Sequence, residues 1–330
     1  MHCDFSPSLR PPLQEVIVSV EWLKELLRAK PLNPSKPVVI NGTWSEDGHA
    51  HEFIAGRVPG SILLHTDRLE TGYPRWALRS LPELQAVIGE LGIADTEHTV
   101  IVVYGERTIA AARVWWTLMY SGVRDVRYLD GGLGAWRAAG LPVESGLPVE
   151  RVVLSPQQCF SAVPRNDFII STQELLQRLY EPELQIADTR HSAEFHGVSS
   201  GYDYVAFAGR LPSAISVGDA DDRTMVYQDT EGRLRDPSEI LGYWLELGLT
   251  PDTHEVVFYC GTGWRSSLAY LYAYALGFVR VRNYSDGWVG WSTRYKPAVP
   301  DVEAAQSTPG WSQIASGNPI EPMATKGYLD

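Results

Sequence analysis

The 330-residue chain is 44% hydrophobic and 21% charged, with a formal net charge of −12 at neutral pH. That is the composition of a globular protein long enough for two domains of ordinary size, and no run approaches the roughly 18 apolar residues of a membrane span. The acidic balance disfavours nucleic acid as a partner, since phosphate neutralisation needs a basic surface. Three cysteines, an odd number, argue for a reducing, cytoplasmic compartment over a disulfide framework.

The opening Met1–Pro7 has neither a basic start nor an apolar segment, so no secretory signal is expected. Ser19 is placed to cap a helix over Val20–Leu27, and Pro37–Ile40 reads as a short buried strand leading into Asn41–Gly42–Thr43–Trp44. His49 and His51 lie in a polar loop without a Cys or third His nearby, and read better as solvated residues than as a metal site. The turn Gly56–Ile62, a strand Ile101–Tyr104 ending at Gly105, a helix, and the turn Tyr128–Trp136 complete the first half. Gly131–Gly134 precedes no Lys-Ser/Thr pair, so neither a nucleotide loop nor any other cofactor site is expected. Ser171 caps a second-half helix over Thr172–Leu179, followed by a strand at Leu184–Ala187, the turn Gly209–Ile215 and a strand at Val256–Tyr259. The organisation is a first domain at 1–145, a linker at 146–164, a second domain at 165–299 and a breaker-rich extended tail at 300–330.

The two halves repeat each other. Gly56–Ile62 recurs as Gly209–Ile215, Glu90–Ile93 as Glu246–Leu249, Ile101–Gly105 as Val256–Cys260, and Tyr128–Trp136, loosely, as Tyr284–Trp291, all displaced by 153 to 156 positions. Four colinear matches at nearly one offset imply a duplicated domain. Helices alternating with short apolar strands imply an α/β fold, each copy a mostly parallel sheet with helices on both faces. Ligands in such sheets sit beyond the carboxyl ends of the strands.

Cys260 stands at such an end. After it come Gly261, Thr262, Gly263, Trp264 and Arg265, then a breaker-free run from Ser266 to Leu276 that reads as a helix closed by Gly277. A cysteine between strand and helix N-terminus faces backbone N–H groups and the positive end of the helix dipole, and both favour the thiolate nucleophile. A buried core cysteine is the alternative reading, but it would not need two glycines, a threonine and an arginine directly after it. The counterpart of Cys260 is Gly105, followed by Glu106–Arg107–Thr108, so the first copy has the fold without the nucleophile. Ser266 is expected to cap the helix. Cys3 and Cys159 lack any such setting and are read as incidental.

These residues, with the duplicated layout, resemble the tandem-domain rhodanese family of sulfurtransferases. The likeness runs from about Val18 to Trp291 and rests on Ala112–Trp116, Asp130–Leu133 and Ala135–Trp136 in the first half, and on Asp188–Thr189–Arg190, Gly209–Pro212 and the Cys260 loop in the second. It implies a thiosulfate sulfurtransferase that moves a sulfane sulfur through a Cys260 persulfide to a thiophilic acceptor. The partners would be a small-molecule sulfur donor and cyanide, a thiol or a protein thiol, with no membrane or nucleic acid. Arg190, Arg265 and Trp44 become substrate-binding candidates, although Arg190 is an equal candidate for a structural pair with Asp188. A 3-mercaptopyruvate sulfurtransferase is the alternative; a non-catalytic sulfur carrier and a cysteine phosphatase are remoter ones, the latter because only four residues separate Cys260 from Arg265 where phosphatases have five. The chain departs from the family at Glu194, where a second arginine is frequent, at Arg57, where a histidine is, and at Trp264–Arg265. The lean toward thiosulfate rests on Arg265 as the cation a sulfonate would want.

Overall fold

The computed structural model describes residues 16–29, 37–48, 50–93, 99–147, 160, 162–218 and 226–294. Cys3, His49, Cys159, most of the expected linker and the tail lie outside the described residues.

The first half runs β1 (Ile17–Val18), α1 (Val20–Arg28), β2 (Val38–Thr43), α2 (His51–Ala55), β3 (Ile62–His65), α3 (Leu81–Glu90), β4 (Val100–Tyr104), α4 (Thr108–Tyr120), β5 (Asp125–Leu129) and α5 (Gly132–Ala138). Its five strands, all parallel, lie in the order β1-β5-β4-β2-β3. The second half runs α6 (Thr172–Arg178), β6 (Leu184–Asp188), α7 (Ser192–Phe195), β7 (Ile215–Ser216), α8 (Pro237–Glu246), β8 (Glu255–Tyr259), α9 (Trp264–Ala275), β9 (Val281–Tyr284) and α10 (Gly287–Arg294). Its parallel sheet has the order β7-β6-β8-β9. Ile101, Val102, Val103 and Tyr104 of β4, like Val256 to Tyr259 of β8, are inaccessible to solvent, which is why both read as unbroken apolar runs.

Local chemistry sets the element ends. The hydroxyl of Ser19 accepts from Trp22 N–H (3.2 Å) and that of Ser171 from Glu174 N–H (3.1 Å), so both expected caps are made. The helix after Cys260 begins two residues earlier than the sequence indicates. Gly263, with φ of +93°, is its N-cap, and Ser266 lies inside the helix, not at its cap.

The repeat extends to individual hydrogen bonds. Val58 N–H donates to the Tyr104 hydroxyl at 3.0 Å, and Leu211 N–H to the Tyr259 hydroxyl at 3.1 Å, so each copy pins its Gly-Arg-x-Pro turn to the last residue of its central strand. The copies meet through α4 and α9, the helices that follow those strands. Trp115 packs on Tyr270 (6.3 Å between ring centroids) and Tyr274 (5.8 Å), and one apolar cluster draws buried residues from both halves. The carboxyl ends of β4 and β8 therefore open toward one cleft.

Candidate active site

Cys260 follows β8 directly, and its loop is held on both sides. Trp288 N–H donates to the Cys260 carbonyl (2.7 Å) and Val289 N–H to that of Gly261 (3.0 Å), so the start of α10 anchors the outer, carbonyl side. On the inner side, Gly263 N–H donates to the Cys260 sulfur at 3.1 Å. The Ser266 hydroxyl donates to Asn283 Oδ1 (2.8 Å) and lies 3.6 Å from the same sulfur. Two positions demand glycine. A Cβ at Gly261 would sit 1.8 Å from the Tyr202 hydroxyl, and one at Gly263 would meet Arg113 Nη1 at 2.6 Å in a left-handed backbone.

Cys260 is only 1% exposed, yet it is not entombed: it lines a cleft of about 310 Å³. Trp44, Trp76, Arg107 and Ile109 of the first half line the same cleft, facing Tyr202, Tyr204, Thr262, Trp264 and Arg265 of the second. Trp44 stands edge-on to both Trp264 (6.0 Å) and Trp76 (6.4 Å). The cleft is thus walled by aromatic rings around Cys260.

The arginines are placed differently from the sequence expectation. Arg190 does not reach the cleft. It is fully buried, its guanidinium bonded to both Asp188 oxygens (Nη2 to Oδ2 2.7 Å) and to the Gly209 carbonyl (2.6 Å), over the Trp288 ring at 5.0 Å. The structural pair is the arrangement adopted. Arg265 does line the cleft, but its charge is taken: Nη1 and Nη2 donate to the two Glu194 oxygens at 2.6 and 2.9 Å. Burial alone would push the Glu194 carboxyl up; Arg265, with Arg190 behind it, carries it below its ordinary range. Two departures from the family pattern therefore compensate each other, Glu194 standing across from Arg265. A third, Arg57, is buried against Glu144 and serves the first domain's own packing.

Sequence reasoning did not find the brace across the domain boundary. Glu70, fully buried, accepts from Trp264 Nε1 (2.9 and 3.1 Å) and from Arg113 Nε (2.8 Å). Arg113 continues to the Ser285 hydroxyl (3.0 Å) and reaches the Gly263 carbonyl at 3.5 Å. Burial pushes the Glu70 carboxyl up, while Arg113 and the indole pull it back. Tyr202, Tyr204, Trp76 and Arg107 were also missed; they sit on loops with no periodicity, and the turn after Gly201 carried no motif. His51 does not line this cleft; it is exposed against Asp47 at 2.9 Å, and among the described residues no group of three potential metal ligands gathers.

Two parallel α/β domains sharing a cleft around a single strand-end cysteine define the class of protein. The chain belongs to the rhodanese-like domain family, whose profile matches residues 19–139 and again 171–294. Over 298 residues it is 32% identical to the thiosulfate sulfurtransferase YnjE of Escherichia coli, covering 88% of this chain and 66% of that protein. It is 26% identical to the 3-mercaptopyruvate sulfurtransferase of the same organism, covering 87% of this chain and 98% of the relative. The anaerobic ergothioneine biosynthesis enzyme of Chlorobium limicola, solved with its natural substrate trimethyl histidine, superposes with a TM-score of 0.76 at 29% identity, over 87% of this chain and 69% of that one. No helix among the described residues is long and apolar enough to cross a membrane.

Proposed function

We propose that the protein is a sulfurtransferase that carries a sulfane sulfur on Cys260 as a persulfide, with thiosulfate as donor and cyanide or a thiol as acceptor. The observation that carries this reading is the Gly263 N–H aimed at the Cys260 sulfur from the N-terminus of a 12-residue helix, in a cleft that Cys260 lines. Amide and helix dipole both favour negative charge there. In the first half-reaction the Cys260 thiolate attacks the outer sulfur of thiosulfate, and the sulfur–sulfur bond breaks with its electron pair leaving on sulfite. In the second, cyanide takes the outer sulfur as thiocyanate and the thiolate returns. One nucleophile divides the transfer into two covalent steps.

Thiosulfate is favoured by the higher identity to the thiosulfate enzyme; the earlier ground, a free Arg265, is gone because Glu194 neutralises it. The same neutralisation disfavours a phosphatase, whose loop arginine must meet the phosphate. Mass spectrometry of the intact chain tests the reading. Thiosulfate should add one sulfur, about 32 Da, to wild type and nothing to Cys260→Ser, and cyanide should remove it. No adduct with any donor ends the proposal; loading by mercaptopyruvate alone reassigns the donor; loading without turnover makes the protein a carrier.

A second reading concerns the acceptor. A cleft of about 310 Å³ far exceeds a cyanide ion, and its walls hold three tryptophans and two tyrosines. Aromatic faces attract quaternary ammonium groups by about 0.5–2 kcal/mol each. A trimethylated amine acceptor, such as the trimethyl histidine that is the natural substrate of the Chlorobium limicola enzyme, suits such walls; discharge of the persulfide by trimethyl histidine would establish it.

A further inference from the structure

The cleft contains one positive charge that no reading so far uses. Arg107 lines it from the first domain, exposed, with its guanidinium carbon 5.0 Å over the Trp44 ring. The other arginines described at the site are committed. Arg265 is spent on Glu194, Arg190 on Asp188 and Arg113 on Glu70. Among the described residues no carboxylate pairs with Arg107, and its guanidinium rests on the tryptophan face.

Its position follows from the duplication. Gly105 corresponds to Cys260 and Arg107 to Thr262, so the inactive copy offers an arginine at the strand end where the active copy builds its sulfur loop. Arg107 is also the N-cap residue of α4, a 13-residue helix whose positive end adds to the local field. The setting matters because the chain's net charge of −12 repels anions, leaving attraction to local groups. Both candidate donors are anions at the end remote from the transferred sulfur: thiosulfate presents a sulfonate, mercaptopyruvate a carboxylate. Arginine's planar fork binds either through paired, charge-assisted hydrogen bonds.

Resting on the sulfurtransferase reading, we infer that Arg107 is the donor's anion anchor, a substrate-binding residue supplied by the domain that lacks the nucleophile. With thiosulfate, the sulfur–sulfur bond breaks and the departing sulfite keeps its oxygens at Arg107. With mercaptopyruvate, the carbon–sulfur bond breaks, the carbanion takes up the thiol proton, and pyruvate leaves with its carboxylate at the same guanidinium. Trp44 holds the side chain over the cleft without consuming its charge.

Alkylation of Cys260 by iodoacetate and by iodoacetamide tests the anchor without requiring turnover, because the two reagents differ only in charge at the remote end. Arg107→Ala should cut the iodoacetate rate about tenfold or more while leaving the iodoacetamide rate near wild type, and Arg107→Lys should recover part of the loss. In steady state, Arg107→Ala should raise KM with kcat nearly held, and whichever of thiosulfate or mercaptopyruvate suffers identifies the anion that is bound. An iodoacetate-to-iodoacetamide ratio identical in wild type and Arg107→Ala, with an unchanged circular dichroism spectrum, overturns the assignment. Should no donor load Cys260, the sulfurtransferase reading fails while the alkylation ratio still reports on the anchor.

Discussion

At the scale of single residues, the Arg265–Glu194 pair decides what a substitution at position 265 does. Both partners are nearly sealed from solvent, at 10% and 5% side-chain exposure. Removing the guanidinium leaves a buried carboxylate uncompensated, a change that typically costs about 3–5 kcal/mol. Arg265→Ala should therefore lower the melting temperature by many degrees, with activity lost through folding and not through donor affinity alone. The pair also fixes an acid response. The Glu194 carboxyl is held below its ordinary value of 4.5, so its contribution to stability is complete above that pH and is lost as pH falls through the lowered folded value. Thermal melts of Glu194→Gln should lack this part of the wild-type acid sensitivity while being less stable at pH 7. What the sequence reveals at this scale is what is local. The Cys260 loop and its glycines declare themselves through neighbours in the chain, Trp44 only through the family resemblance, and Arg190's partner stands two residues away. Arg265's partner lies 71 positions earlier, beyond any pattern in a single sequence.

At the scale of elements, the first turn of α9 is braced by the other domain. Trp264 donates to Glu70, Arg113 spans from Glu70 to Ser285, and the Gly263 carbonyl lies at the end of that reach. The amide that faces the sulfur belongs to this same residue, so the brace bears directly on the setting of Cys260. Trp264→Phe keeps an aromatic ring, though a smaller one, and removes the indole N–H, leaving a buried Glu70 oxygen short of a donor at a cost of about 1–3 kcal/mol. Its expected signature is a slower persulfide loading step, read by stopped flow, exceeding that of a stability-matched core variant such as Val257→Ala. Strand positions and both serine caps are legible because apolar runs and capping residues act over a few residues. The helix start is not, because its cap is a left-handed glycine with no side chain to announce it, and the Arg113 that lies against it comes from 150 positions earlier.

At the scale of the whole molecule, two sheets of unequal size share one interior. Trp115 and Trp116 of the first half and Tyr270 and Tyr274 of the second lie in a single buried cluster, with α4 and α9 as its centre. Neither half can open without baring that aromatic surface. Urea unfolding followed by tryptophan fluorescence, by far-ultraviolet circular dichroism and by Cys260 reactivity should give one coincident transition; two separated transitions would refute the shared interior. The duplication itself is plain in the sequence, but its packing is not, since nothing in either repeat says which helix meets which. The helices that meet are counterparts: at the offset that aligns Gly105 with Cys260, Trp115 aligns with Tyr270, and these two rings touch. A position that packs against its own copy lies on a local dyad, the arrangement by which two identical subunits associate. The chain is thus organised like a dimer joined end to end, with a cysteine at the strand end of one copy and a glycine, followed two residues on by Arg107, at that of the other.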